Sequence, residues 1–351
     1  MSKMNPKAHF LLRTFGITKP IFAMPSTLTA TVKQVAEACN AGALGVFPAG
    51  YLTADEIEKV IVSIRQLTDK PFALQIFPEQ PVQYDDKTLQ VLDKALSSVR
   101  EHYGISPQRP LVPIDFEKQF EAILDLNVPV VGLMLGGLRE PYMEALEAKG
   151  IKTFGVTSNL KDAKVLRASG VNAVLAHGWD GPGLVSHNET EANRAFVGAM
   201  TLIEECVRAI QVPVLAGGSM MSQGAVKVAK TLGAAGLVLT DALLAAEESA
   251  LPKEWISALA YMTDGSSQVS NSIFGRNARV LWTGLCAEMQ QAGLPSLPFP
   301  YQWLALEDIF RAAMQGDIIE DCPLEFGQMG YLLTADKTQD IIDRFCQWYE
   351  E

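Results

Sequence analysis

Eight short, almost unbroken apolar runs, each followed by a helix-like segment, constrain this chain more than any other feature. The first four are PIFAM (Pro20 to Met24), LGVFPA (Leu44 to Ala49), FALQIF (Phe72 to Phe77) and VPVVGLM (Val128 to Met134). TFGV (Thr153 to Val156), AVLAH (Ala173 to His177), VPVLAGG (Val212 to Gly218) and GLVLT (Gly236 to Thr240) follow. A strand with one wet face alternates apolar and polar residues. These runs do not alternate, so both of their faces must be covered, as in a parallel sheet. The segments between them, such as TVKQVAEACNAG and SQGAVKVAKTLGAAG, have helical spacing. Several open on Thr, Ser or Asn caps and close on Gly, which are start and stop signals for helices.

Eight such units over about 230 residues predict a (β/α)8 barrel, which typically needs about 250. An open doubly wound sheet stays as the alternative, because periodicity does not fix strand order. The third unit is enlarged, and residues 84–126 read as two helices before the fourth strand. After Glu248 the alternation stops and the chain reads as mostly helical. The expected organisation is a barrel over residues 1–250 and a mainly helical subdomain, or lid, over 251–351.

The 351 residues are 48% hydrophobic and 20% charged, enough to bury a full core. A net charge of −11 argues against a nucleic-acid surface, which needs clustered Lys and Arg. A small anion stays open, because helix N-termini and backbone amides bind anions without net positive charge. The five cysteines are odd in number and form no CxxC pair, so neither a disulfide framework nor a metal knuckle is expected. The N-terminal stretch MSKMNPKAHFLLRTFGITKP has no sustained apolar core, and no run reaches membrane-spanning length. A cytoplasmic protein with no membrane or nucleic-acid partner is expected. A homo-oligomer is compatible with the sequence but is read from no single stretch.

Barrel chemistry sits at the C-terminal ends of the strands. That rule selects Met24-Pro25-Ser26, Gln75, Met134, Ala216-Gly217-Gly218-Ser219, and Leu239 with Thr240 and Asp241. It also selects VLAHGWDGPGLVSHNET (Val174 to Thr190), a glycine-rich loop holding His177 and His187, two of the chain's four histidines. Gly217 and Gly218 precede a helix starting near Ser222, and glycines there let backbone N–H groups approach a phosphate. The alternative is that they make only a tight strand-to-helix turn.

Several strings together give a resemblance: NAGALG (Asn40 to Gly45), LTDKPFALQIF (Leu67 to Phe77), VPVLAGGS (Val212 to Ser219), ALLAAEES (Ala242 to Ser249), FGRNAR (Phe274 to Arg279) and FGQMG (Phe326 to Gly330). In this order and spacing the chain resembles the nitronate monooxygenase (2-nitropropane dioxygenase-like) family of FMN-dependent barrels, which includes flavin enoyl-acyl-carrier-protein reductases. The resemblance implies non-covalent FMN as electron carrier. It places Met24-Pro25-Ser26 under the flavin ring and Gln75 where relatives usually have an Asn. Gly217 and Gly218 fall at the phosphate glycines, and Thr240-Asp241 at a common Gly-Thr. His177 takes a flavin-binding Gln position, and Gly183 of the following loop is a further cofactor-binding candidate. A bulky replacement of Gly218 is then expected to weaken flavin binding while leaving the fold intact.

The departures matter as much. The family's loop after strand six usually reads Ala-Gln-Gly-x-Glu-Ala-Gly-Gly-His, and here Ala176 to Leu184 reads AHGWDGPGL. Leu184 therefore stands at the catalytic-base histidine, and Met134 where many members have another histidine. His177 is either a donor to flavin or substrate, or a histidine that only hydrogen-bonds the rim. His187 either swings into the vacant base position or lies on a solvated loop. Asp241 replaces a neutral Thr and would repel a phosphate unless turned away, so it is expected to cap the next helix. Arg276 and Arg279 are expected to tie the tail to the barrel.

Two classes of function follow. One is an FMN-dependent monooxygenase taking a nitronate or similar small anion and O2, since a nitronate needs no protein base. A flavin-dependent NAD(P)H reductase for an enoyl thioester or quinone is its sister reading. The other class is a barrel that binds flavin or another ligand without catalysis, favoured by Leu184, Met134 and Asp241.

Overall fold

A computed structural model of the chain describes residues 5–79, 82–107, 109–112, 114–187 and 196–351. All eight apolar runs form strands, and these close into one parallel barrel. In chain order they are β1 (Ile21–Ala23), β2 (Leu44–Pro48), β3 (Phe72–Ile76), β4 (Val130–Leu133), β5 (Lys152–Thr157) and β6 (Ala173–His177), then β8 (Val214–Gly217) and β9 (Gly236–Leu239). The short β7 (Gly183–Leu184) lies outside the barrel. Closure comes from β1 pairing with β9, Phe22 opposite Val238. The open-sheet alternative is thereby excluded.

Helices cover the outside, and the caps read in sequence do the work assigned to them. Thr31 caps α2 (Val32–Asn40), Thr53 and Glu56 form a capping box on α3 (Ala54–Leu67), and Asn159 caps α8 (Leu160–Ala168). Among the described residues between β3 and β4 there are three helices, not the two expected: α4 (Asp86–Ala95), α5 (Ser97–Tyr103) and α6 (Phe116–Asp125). The break between α4 and α5 falls at Leu96, whose backbone leaves the helical region for one residue. Sequence periodicity does not register so short an interruption.

The barrel interior is filled by Phe22, Leu44, Val130, Phe154, Leu175, Leu215 and Val238. α1 (Pro6–Phe15) closes its N-terminal end, inserting Leu11 and Phe15, and the Phe15 and Phe22 rings meet edge-on at 5.0 Å. Phe154 needs Gly132 opposite, since a Cβ there would strike its ring. Truncating so buried an aromatic typically costs about 3–5 kcal/mol. With one end sealed, only the C-terminal mouth is left to receive a ligand.

The tail is not purely helical. β10 (Ser267–Ser270) and β11 (Ala278–Leu281) form an antiparallel pair, and β7 joins it with Leu184 opposite Ala278. α15 (Thr338–Glu350) packs back on α2 and on α10 (Gln223–Thr231). Tyr349 Oη donates to Ala234 O at 2.7 Å and so fixes the end of the chain to the barrel wall. Glu248 lies beyond α11 (Asp241–Leu244) and accepts from Thr338 N and Oγ1, satisfying the free start of α15. No helix among the described residues is long and apolar enough to cross a membrane. All five cysteines are buried free thiols.

Candidate active site

The mouth of the barrel holds a small cleft. Its floor is the Met24-Pro25-Ser26 turn after β1, and Gln75, His177 and Thr240 reach it from the ends of β3, β6 and β9. Gly183 and Leu184 of β7 lie across it, and Met134 and Val156 complete an apolar wall. Met24, Pro25, Ser26, Gln75, Met134, His177, Gly183 and Thr240, all selected in the sequence, are thus brought together. Gly217, Gly218, Leu239, Asp241 and His187 do not line the cleft.

Leu184 is 3% exposed and occupies the wall where a base would face the ligand. The segment carrying it is firmly held. Ser186 Oγ donates to Val156 O and accepts from Leu135 N, while Ser158 N donates to Ser186 O. His187 cannot replace the base from there. Its carbonyl accepts from Arg276 Nη2 at 2.5 Å, and the ring also faces that guanidinium.

His177 is buried, and burial lowers its pKa, with the Pro182 contact and Asp180 opposing the shift. Its Nε2 lies 3.0 Å from Pro182 O. A carbonyl oxygen only accepts, so Nε2 carries the proton and donates. Nδ1 is then the bare nitrogen, and it faces Gly217. In this arrangement the imidazole fastens the loop to the strand end. Gln75 Nε2 has a weak partner, Met134 Sδ at 3.2 Å, and its amide remains well placed for a ligand.

The phosphate end is built differently from expectation. Asp180 Oδ2 accepts from Ser219 N at 3.0 Å and Oδ1 from Ala199 N, at the start of α9 (Ala199–Ala209), at 2.8 Å. Ser219 Oγ donates to Asp180 O. Gly181 lies so close to Gly218 that a Cβ on it would fall 2.5 Å from the Gly218 Cα. Gly218 has φ +107°, and its own Cβ would meet Asp180 Oδ2 and Ala199 Cβ at 3.0 Å. A bulky residue at Gly218 would therefore disturb the backbone as well as any ligand, contrary to the sequence expectation.

Asp241 is also not a helix cap. It is the first residue of α11 after Thr240, no side-chain cap bond forms, and its carboxylate instead receives Gly327 N at 3.1 Å on both oxygens. Burial raises its pKa to about 7, with Glu325 and Asp180 adding to the shift and Gly327 N–H and Arg279 opposing it. The FGQMG string noted in the sequence thus supplies a turn that packs on Asp180 and Asp241, Gln328 N donating to Asp180 O.

Sequence reasoning missed two acids. Asp180 stood in view in the loop after His177, and its short side chain beside a glycine turn was the available signal. Glu325 gave no signal beyond preceding FGQMG. It lines the cleft, and its Oε2 accepts from Ser26 Oγ and Thr27 N, both at 2.7 Å. Burial raises its pKa against those hydrogen bonds. Arg279 interacts electrostatically with Asp180 and Asp241, lies over the Trp179 ring at 4.7 Å and donates to Trp179 O and Ser267 O. As expected, Arg279 and Arg276 tie the tail to the strand-six loop.

These contacts decide the fit of a flavin mononucleotide. The ring end offers a floor, an amide and an apolar wall. At the Gly217-Gly218 turn, Asp180, which stands at the Glu of the family's loop, takes the Ser219 and Ala199 N–H groups, and Asp241 sets a second buried acid nearby. Among the described residues there is no cluster suited to a metal ion.

Comparison with known proteins agrees with the architecture. The family model described as nitronate monooxygenase matches residues 8–347. A probable nitronate monooxygenase of Bacillus subtilis is 26% identical over 348 residues, 96% of this chain and 97% of that protein. A nitronate monooxygenase of Paraburkholderia phytofirmans is 28% identical over 299 residues, covering 83% and 82% of the two chains. Among solved structures, nitroalkane oxidase from Streptomyces ansochromogenes superposes with a TM-score of 0.87 at 24% identity, over 97% of this chain and 98% of that one. FabK from Thermotoga maritima gives 0.75 at 21%, over 97% and 95%. A match across almost the whole length, on a closed barrel with the site at its mouth, places the chain in the nitronate monooxygenase family of flavin oxidoreductases.

Proposed function

We propose that the chain oxidises an alkyl nitronate, or a similar small organic anion, with O2, and that FMN is the flavin it uses. The observation that carries this reading is the wall made by Leu184, Met134 and Val156. It presents no proton acceptor where the family's base would stand. A nitronate is already deprotonated and needs none, whereas a neutral nitroalkane would lose the roughly 10²–10⁴-fold that general-base catalysis supplies. Gln75 is the donor that would orient the substrate or the ring. A second reading, a ligand-binding barrel without turnover, is favoured by Leu184 and Met134 in the cleft wall and by the buried Asp241.

Oxygen uptake separates them. Protein incubated with FMN should consume O2 with a small alkyl nitronate and much more slowly with the parent nitroalkane. Absence of uptake with both, while flavin is bound, would select the second reading. Flavin reduction by NADH or NADPH without oxygen would instead select a reductase.

A further inference from the structure

We infer that Phe77 sets the length of alkyl chain the cleft accepts, and that the apolar pocket behind its ring is a continuation of the substrate's chain site, closed off by that ring. This rests on the reading of the cleft as the site of an alkyl nitronate or similar small anion, and extends it from the charged head of the substrate to its tail. The tail is an unbranched hydrocarbon chain, and in this protein a short one.

Phe77 lines two cavities at once. On one side it stands in the cleft wall with Pro48, Gln75 and Met134. On the other it lines a second pocket with Pro78, Ile114, Phe116, Phe299 and Tyr301. Gln75, near the end of β3, and Phe77, just past it, both face the cleft, as alternate side chains on an extended chain do. A ligand whose polar head takes the Gln75 amide therefore has the Phe77 ring beside it on the same wall, and hydrocarbon added in that direction runs into the ring.

The ring is held in place. Gly50 lies directly against it, and a Cβ on that glycine would fall 2.2 Å from the Phe77 Cε2. Phe299 meets it edge-on at 4.8 Å and Tyr51 at 5.1 Å. Only 8% of Phe77 is exposed. A side chain gripped on three sides acts as a partition, because close packing leaves it no second position at low cost. Behind it the main polar group is Gln119, whose Nε2 already donates to Leu52 O at 2.5 Å. Well-packed interiors leave few voids larger than a water molecule. One walled by rings and aliphatic side chains, and separated from a ligand cleft by a single ring, gains most from hydrocarbon.

The test measures dissociation constants for the straight-chain nitronates of nitroethane, nitrobutane and nitrohexane. Calorimetry on the protein saturated with FMN, without oxygen, makes the readout independent of turnover. In wild type the hexyl nitronate should bind no better than the butyl one. In Phe77→Ala the preference for hexyl over ethyl should rise by about tenfold or more, since each methylene buried in the pocket is worth about fourfold. Phe77→Leu keeps a large apolar side chain, and should give a smaller rise of the same sign even if the alanine variant does not fold. Adding Ile114→Trp, at a pocket residue that does not line the cleft, should bring the raised preference back toward wild type. A wild type that already prefers hexyl to ethyl by about tenfold overturns the inference. So do folded Phe77 variants with the wild-type ratio, or a raised ratio that Ile114→Trp leaves untouched. Nitronates that bind with this chain-length pattern but drive no oxygen uptake would sink the proposed reaction and leave the role of Phe77 standing. Oxygen uptake with an unaltered chain-length ratio in the variants would do the reverse.

Discussion

Asp180 Oδ2 receives the backbone N–H of Ser219 at 3.0 Å, and its other oxygen receives that of Ala199 at 2.8 Å. One side chain therefore joins the turn after β8 to the start of α9. Both donors belong to buried residues. Asp180→Ala leaves them without an acceptor, and a buried unpaired donor costs about 1–3 kcal/mol. Urea unfolding should show a loss of that order. Sulfate or phosphate should restore part of it, and should stabilise the variant more than wild type, because an anion can occupy the vacated donors. An equal salt effect on both proteins would mean that these N–H groups do not form an anion site.

Asp241 gives a pH dependence of stability with a definite sign. Its carboxyl is held at about 7 in the folded chain, chiefly by burial, against an ordinary value of 3.8. Between those values the folded state keeps a proton that the unfolded state has lost. Stability contributed by the protonated form is then present below about 4 and falls as pH rises to about 7, after which the penalty is constant. Asp241→Asn removes the penalty while conserving shape. The difference in unfolding free energy between variant and wild type should grow across that window by a few kcal/mol. A constant difference from pH 4 to pH 7 (roughly the interval the linkage relation defines) would contradict the buried, mostly protonated state.

The barrel was legible in the sequence because its signal is local and repeated. Eight apolar runs at even spacing, with caps and glycine stops, leave few topologies, and the strand-end rule then pointed to Met24, Pro25, Ser26, Gln75, His177 and Thr240, all of which meet in the cleft. What failed depends on contacts between distant segments. Asp241 looked like a helix cap because Asp at a helix start commonly is one. Its partner Gly327 comes from 86 residues away and no periodicity reports it. β7 was hidden for the same reason, since two residues make a strand only when Ala278 and Arg279 of the tail lie beside them. His177 ends β6, where the apolar run stops, but its proton sits on Nε2 because of the Pro182 carbonyl, a property of loop conformation alone.

Leu184 tests the missing base. It is buried in the cleft wall on a segment fixed by Ser186. Leu184→His places an imidazole there without disturbing the strand pairing, which is a backbone interaction. Turnover of a neutral nitroalkane should rise by about ten- to a hundredfold, below the full range of general-base catalysis because nothing orients the new ring. Turnover of the corresponding nitronate should be nearly unchanged. The gain should follow a single ionisation below that of an ordinary imidazole, because position 184 is buried. If both substrates change alike, the wall does not face the carbon that loses its proton.

Glu325 bears on the charge of the substrate itself. Its carboxylate lines the cleft, bonded through Oε2 to Ser26 Oγ and Thr27 N, and burial pushes its pKa up. While ionised it repels an anion entering beside Ser26, and each pair of like charges held out of water weighs against binding. Glu325→Gln retains an acceptor for Thr27 N and removes the charge. For an anionic substrate KM should fall severalfold with little change in kcat, since the interaction is lost equally from bound ground state and transition state. Wild type should approach the variant's KM as pH falls and Glu325 takes up a proton, and the variant should lack that dependence. A neutral ligand of similar shape should bind both proteins alike. If KM for the nitronate is the same in both proteins across the pH range, the substrate does not reach Ser26, and the anionic class loses its place at the floor of the cleft.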